Sequence, residues 1–365
     1  MRICSTSINL DFMPKHYLKA EIKNLPKSRV EIDCQIETGT LTAIETLVLK
    51  EMSVSLELPG FRKGKAPEAM ARSRIGEMKI LEEAAKRSIR EAYVEIVEKE
   101  KLRTVGEPSV VIKKLASGNP LDFTLTVSVL NDWQLPDYEK TARATSEVRG
   151  VIDVSESEVT GVIEELRRQK AHANLHKNNT PHDHEKPEMK LLEVDDAFAQ
   201  SFGKFKDLQD LKSQIKKNLT REKERKAREA HRVAILEKIL GETDAEVPDI
   251  MVENEIDMTL AQFKNEIGKA GTSYEDYLKS IGKSEDGIRK ELKGSAEKKV
   301  KMQVLLSQIA AKEKILAPSE EIQKETSKIL TIHSDADPVK ARSYVAMTLT
   351  NEKVFEFLEG LTKSK

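Results

Sequence analysis

Cysteine, aromatic residues and long apolar runs are scarce in this sequence. Its 365 residues include two cysteines, one tryptophan and 4% aromatics. Cys4 and Cys34 supply neither a disulfide framework nor a zinc-ligand spacing, in keeping with a reducing compartment. Charge-free runs such as 302–311 reach about half of the ~20 residues that a membrane-spanning helix needs. The first residues carry Arg2 but no apolar core for a secretory signal, because Asn9 and Asp11 interrupt it. No glycine-rich phosphate loop precedes a helical pattern, and Gly271-Thr272-Ser273 reads as a turn, so neither ATP nor any other cofactor is expected. The net charge of −1 provides no global field toward nucleic acid or membrane, so any basic contact has to be local. The reading is a cytoplasmic protein with neither DNA nor membrane as partner.

Charge is what the sequence has in abundance, at 34% of residues. That density argues against one large core and favours long solvated helices with narrow apolar stripes. The length suits two or three domains. Residues 1–14 read as a disordered or non-native extension, with Met13 as a second candidate start. Two strands follow. Leu18, Ala20 and Ile22 share one face of the first, and Val30, Ile32 and Cys34 share one face of the second, a half-buried antiparallel pattern. A helix is expected over 40–53 from Ile44, Leu47, Val48 and Met52. Pro67 stands at a helix start and Gly76 at a helix end. The clearest helix of this half spans 79–101, with Leu81, Ala84, Ala85, Ile89, Ala92, Tyr93, Ile96 and Val97 at helical spacing. Val110, Val111 and Ile112 form a strand, and Phe123, Leu125, Val127 and Val129 alternate in another after the turn Gly118-Asn119-Pro120.

Beyond 150 the strand signal ends. Ser155 and Glu158 have the spacing of a capping box ahead of Val159, Val162, Ile163 and Leu166. Leu208, Leu211, Ile215 and Leu219 open a long helix that runs through a charged stretch into Ile235, Leu236, Ile239 and Leu240. Further helices are marked by Val252, Ile256, Leu260, Phe263 and Ile267; by Tyr274, Tyr277, Leu278 and Ile281; and by Ile288, Leu292, Ala296 and Val300 continuing to Ile309. Pro318 introduces the next, and a last helix spans about 338–359.

One loop stands out, at 59–67. Gly60 and Gly64 permit positive φ or close backbone approach, and Pro59 and Pro67 fix entry and exit. Between them lie Phe61 and the cations Arg62, Lys63 and Lys65, with Arg72 and Arg74 shortly after. An aromatic in a basic loop can stack or fill a pocket while the cations pair with phosphates or carboxylates; alternatively Phe61 folds into its own domain. The stretch 58–67 resembles the ribosome-docking signature of trigger factors, and the resemblance continues through Gly106-Glu107-Pro108 and Trp133-Gln134-Leu135-Pro136-Asp137-Tyr138. It implies ribosome-binding roles for Gly60, Phe61, Arg62, Lys63, Gly64, Lys65 and Pro67, in contact with protein and rRNA beside the exit tunnel.

The resemblance also implies a fold and an absence. The fold is an α+β N-terminal ribosome-binding domain (15–140) followed by an all-α, elongated C-terminal chaperone domain with helical arms (191–365). Residues 141–175 form a connector with a helix, and 176–190 form a flexible linker. Trigger factors usually carry an FKBP-like prolyl-isomerase domain at this point. The segment 154–171 resembles the helix before it and 192–203 the segment after it. The twenty or so residues between them are far fewer than the roughly one hundred such a domain needs. The expectation is a non-enzymatic member without catalytic residues. His172, His176, His182 and His184 fall near this linker, but without a cysteine partner and with one pair in a Pro-containing segment they read as polar surface, so no metal is expected.

In the helical part, Met251, Met258, Met302 and Met347 could add adaptable contacts, although most apolar positions at helical spacing are core. The implied activity is ATP-independent shielding of unfolded nascent polypeptides at the ribosome, with pairing into a homodimer away from it. The alternative reading is a ribosome-free helical holdase or assembly protein that binds folded partners.

Overall fold

The computed structural model describes residues 16–59, 61–145, 153–177 and 191–363. The extension 1–14, Gly60 and most of the linker expected at 176–190, including His182 and His184, lie outside the described residues. Four strands, β1 (Lys19–Leu25), β2 (Arg29–Ile36), β3 (Thr104–Lys114) and β4 (Leu121–Val129), form one antiparallel sheet in the order β1-β2-β4-β3. Between β2 and β3 the chain makes α1 (Thr38–Val54), α2 (Glu68–Ile75) and α3 (Glu77–Lys99). The later helices are α4 (Tyr138–Ala144), α5 (Glu156–Lys177), α6 (Asp196–Gln200), α7 (Leu208–Gly241), α8 (Asp249–Lys269), α9 (Tyr274–Ile281), α10 (Glu285–Glu313), α11 (Ser319–Ile332) and α12 (Pro338–Lys363). Among the described residues no helix is long and apolar enough to cross a membrane.

The chain separates into two compact units. One joins Met1–Gln134 to Asp244–Gln308, and the other joins Leu135–Thr243 to Ile309–Lys365. The first unit owes its core to a matched alternation. Val30, Ile32, Cys34 and Ile36 of β2 stand opposite Val127, Leu125, Phe123 and Leu121 of β4. All eight are buried, together with Leu41, Ile44, Val48 and Leu49 of α1 and Ile80, Leu81, Ala84, Ala85, Ile89, Ala92 and Ile96 of α3. The valine, leucine, isoleucine and phenylalanine side chains among them each contribute about 1.5–3 kcal/mol when fully buried. Burial also pushes the Cys34 thiol up to about 12.

The first strand behaves differently from the half-buried expectation. Ile22 of β1 pairs with Ile32 and shares its face, yet Leu18 and Ile22 are exposed. Ile22 sits on the edge strand β1, and Leu18 stands just before it. Only Ala20 of that face packs, partly buried, against the core. On the outer face of the sheet Asp33 accepts from Lys113 Nζ at 2.5 Å, Thr124 Oγ1 at 2.6 Å and Lys23 Nζ at 3.0 Å. These donors hold its carboxyl well below the ordinary value.

Residues just after β4 are fastened within the same unit. The Trp133 indole N–H donates to the Glu246 carbonyl at 3.1 Å. Gln308 of α10 accepts from the Trp133 backbone N–H at 2.8 Å and donates to the Asn131 carbonyl at 3.1 Å. Both Trp133 and Gln308 are buried.

Several helices of the second unit start with side-chain caps. Ser155 and Glu158 form the capping box in both directions: Ser155 N–H donates to Glu158 Oε2 at 2.9 Å, and Glu158 N–H donates to Ser155 Oγ at 3.3 Å. Asp195 and Asp207 cap α6 and α7 by accepting from Phe198 N–H and Asp210 N–H. A small core gathers Val154, Val159 and Ile163 with Phe198, Ala199, Leu211 and Ile215. Farther along α7, Arg232 reaches two carboxylates of α12, Glu352 and Glu359, each at 2.6 Å, and lies 4.8 Å from the ring centroid of Phe355.

Candidate functional site

The loop between α1 and α2 is built from its base outward. After α1 ends, Leu56 N–H donates to the Ser53 carbonyl at 3.1 Å and the Leu56 carbonyl accepts from Gly64 N–H at 3.2 Å, which closes the loop. Two tight turns shape its tip, Phe61 N–H to Leu58 O at 3.1 Å and Lys65 N–H to Arg62 O at 2.9 Å. Gly64 has φ +72, and a Cβ there would lie 2.9 Å from the Val54 carbonyl oxygen. Both facts require glycine at this position: the loop returns across the end of α1 at backbone contact distance.

Pro67 then precedes α2 as its N-cap, one position earlier than the sequence expectation, and its carbonyl accepts from Met70 N–H and Ala71 N–H. Ala71 is fully buried, which seats this short helix on the core. Arg72 adds a polar link. It pairs with Glu77 of α3 at 3.4 Å, and it opposes the burial that raises the pKa of Glu45 on α1. Glu45 is buried in the same register as Leu41, Ile44, Val48 and Leu49. A carboxylate inside an apolar stripe was the sequence signal for this link.

The tip presents its candidate side chains outward. Phe61 is 40% exposed, so it is not folded into the domain. Arg62, Lys63, Lys65 and Pro67 are exposed as well. Lys63 pairs with Glu57 at 3.4 Å, both of them solvated. Arg62, Lys65 and Arg74 make no ion pair among the described residues. Met70 and Met78, not singled out from the sequence, are exposed on the adjoining α2 and the start of α3. Gly60 lies outside the described residues. The surface can therefore offer one aromatic ring, two flexible thioethers and unpaired cations to a partner that carries acidic groups or phosphates.

The helices add apolar surface. In the first unit, Phe263, Tyr277, Ile281, Ile288 and Leu292 line a groove of about 330 Å³ between α8, α9 and α10, and Met258 is exposed nearby on α8. In the second unit, Leu316 and Ile332 are 79% and 76% exposed, with Val339, Tyr344 and Met347 also open to solvent. Of the four methionines marked in the sequence, Met258 and Met347 are exposed, and Met251 and Met302 are half-buried. Among the described residues no group of three or more His, Cys, Asp or Glu side chains is placed to hold a metal.

A sheet with a helical hairpin and basic loop on one side of the sequence, followed by long helices with open apolar positions, defines a class of binding protein. Residues 18–166 match the family model of bacterial trigger factor protein, and residues 207–358 match that of its C-terminus. The trigger factor of Carboxydothermus hydrogenoformans is 26% identical over 389 residues, covering 87% of this chain and 91% of the relative. That of Caldicellulosiruptor bescii is 24% identical over 424 residues, covering 95% and 94%. A solved structure of the trigger factor chaperone, studied for promiscuous substrate recognition in folding and assembly, shares the fold. Its TM-score is 0.53 at 17% identity, with 95% of this chain and all of that one covered. The class is that of molecular chaperones, and the chain belongs to the trigger factor family.

The matches also bear on the isomerase domain. The isomerase domain is not among the matched parts, and the two matched regions are separated only by 167–206. The aligned lengths of 389 and 424 exceed the 365 residues of this chain, so the relatives contain stretches with no counterpart here.

Proposed function

We propose that this chaperone docks at the ribosomal exit through the loop 59–67 and shields nascent polypeptides with its helices, without ATP and without prolyl isomerisation. Docking falls to 15–140, with Phe61, Arg62, Lys63 and Lys65 as contacts to protein and rRNA and Gly60, Gly64 and Pro67 as shapers. Holding falls to 191–365, with 141–175 as connector and 176–190 as linker, in the cytoplasm where ribosomes are available. The observation that carries the reading is the loop tip: an exposed phenylalanine beside Arg62 and Lys65, which make no ion pair among the described residues, on a loop closed by Gly64 against α1. An exposed aromatic among free cations is poorly suited to solvent and well suited to a partner with phosphate and apolar surface.

The test is co-sedimentation with ribosomes. Changing Phe61, Arg62 and Lys63 together to Ala is expected to abolish pelleting while the circular dichroism spectrum and unfolding midpoint stay at wild-type values. Raising salt is expected to weaken the wild-type contact, because cations carry part of it. Pelleting unchanged in the triple variant would overturn the docking role and leave the ribosome-free holdase. The missing catalysis is checked with a proline-containing peptide, whose isomerisation is expected to stay at the uncatalysed rate.

A further inference from the structure

Six consecutive residues of β3, 109–114, are exposed. Val110 and Ile112 pair with Leu125 and Phe123 and so lie on the core side of the sheet, whereas Val111 pairs with Thr124 on the outer side. All three are at least 42% exposed, so this strand is open and apolar on both faces. It is also the last strand on its side of the sheet. In an antiparallel ladder alternate residues turn their N–H and C=O groups away from the neighbouring strand. Among the described residues, 109–114 make no backbone hydrogen bond other than those to β4.

Folded proteins guard such edges with lysines, prolines, bulges or covering elements. Here the guards stand at the ends. Pro108 and the packing of Ile250 from α8 against Gly106 protect the beginning. Lys113 does not guard the edge, because its ammonium is drawn to Asp33 on the outer face. Register shifts between Val105 and Ser109 and between Ile112 and Lys114 bound the regular stretch. What stays open is a short β-branched edge made of Ser109, Val110, Val111 and Ile112.

We propose that this edge receives an extended, apolar-rich segment of an unfolded polypeptide as a fifth strand. It would recognise backbone hydrogen-bonding groups together with apolar side chains on both faces. The inference rests on the chaperone reading for its occupant, but not on ribosome docking. A second copy of this chain is the poorer occupant. Pairing confined to these few residues falls far below the roughly 1,200 Å² that a stable complex of folded proteins buries. An unfolded chain already held at the exposed apolar positions of the helices needs no such area, since an effective concentration on the order of millimolar lets weak pairing hold it. Recognition through the backbone also imposes little sequence preference.

The experiment uses the full chain, free of ribosomes, and a short peptide of alternating valine and threonine. A matched peptide with alternate amides N-methylated serves as control. Saturating peptide is expected to slow amide hydrogen exchange within 109–112, and the methylated peptide is expected to leave it unchanged. Val111→Lys, a surface substitution, is expected to weaken peptide binding about tenfold. The wild-type exchange measurement stands even if that variant folds poorly. Slowing confined to the helices, or equal slowing by the methylated peptide, would overturn the proposal. So would slowing that grows with protein concentration when no peptide is present, which would give the edge to a second copy. None of these outcomes depends on the ribosome-pelleting result, so the two readings fail separately.

Discussion

Helices α3 and α7 are both long, and they are built to opposite rules. α3 buries Ile80, Leu81, Ala84, Ala85, Ser88, Ile89, Ala92 and Ile96 within 23 residues, a continuous stripe. α7 buries Leu211 and Ile215 near its start and His231, Ile235, Leu236 and Ile239 near its end, with nothing buried between 216 and 230. The first is a wall of a core, so its identity is spread along its length. The second is a solvated rod held at two places, and its middle is kept soluble by pairs such as Lys226–Glu222 and Arg225–Glu229. Exposed pairs of that kind contribute at most about 1 kcal/mol each, so the middle of α7 depends mainly on its two packed ends, with Lys223 adding an exposed link to Glu158 of α5. A chaperone benefits from this division between a packed core and long elements whose surfaces are left available.

Substitutions can break this contrast. The largest loss is expected in the sheet core that α3 walls. Phe123→Ala removes a fully buried ring and is expected to cost about 3–5 kcal/mol in urea unfolding. A loss under about 1 kcal/mol would mean that the two regions are packed alike. Next comes the far anchor of α7. The Arg232 and Glu359 side chains are only 14% and 13% exposed, while Glu352 is half exposed. Arg232→Ala is therefore expected to cost about 2 kcal/mol, less than the loss from a fully buried pair, and to speed exchange of amides near 231–239. Exchange unchanged there would show that apolar packing alone seats this end.

The smallest expected effect concerns acid. Lys223 on α7, and then Ser155, hold the Glu158 carboxyl at about 2 against an ordinary 4.5. A carboxyl depressed in the folded state stabilises it above its unfolded value, and that contribution fades as pH falls through the folded value. The contact of α5 with α7 is thus expected to weaken between pH 4.5 and about 2. A carboxyl resonance of Glu158 that titrates near 4.5 would remove this contribution. The variant Glu158→Gln is expected to flatten the acid limb of stability.

Local rules made some of these features legible in the sequence and left others hidden. The alternation of Val30, Ile32 and Cys34 is realised because β2 is central and covered on one face. The same alternation in Leu18, Ala20 and Ile22 misleads, since what covers an edge strand is decided by distant helices rather than by its own pattern. The capping box at Ser155 and Glu158 depends on residues three apart and could be read directly. For the loop, residue types announced a basic, aromatic tip, but they could not say which way Phe61 points. That is set by the closure of Gly64 on α1 and by the seating of Ala71. Glu45 shows in the sequence only as the one polar member of the buried stripe of α1, and its link to Arg72 depends on how α2 is seated.

Trp133 is the only tryptophan in the chain, and the fold has placed it, buried, where Glu246 and Gln308 grip the segment that leaves the sheet. The molecule therefore carries its own optical gauge. Any loosening of that segment from α10 would let water reach the indole, shift its emission to the red and open it to quenching by iodide, with no label attached. Motion within this unit, on or off a partner, can be followed by light from a single native side chain.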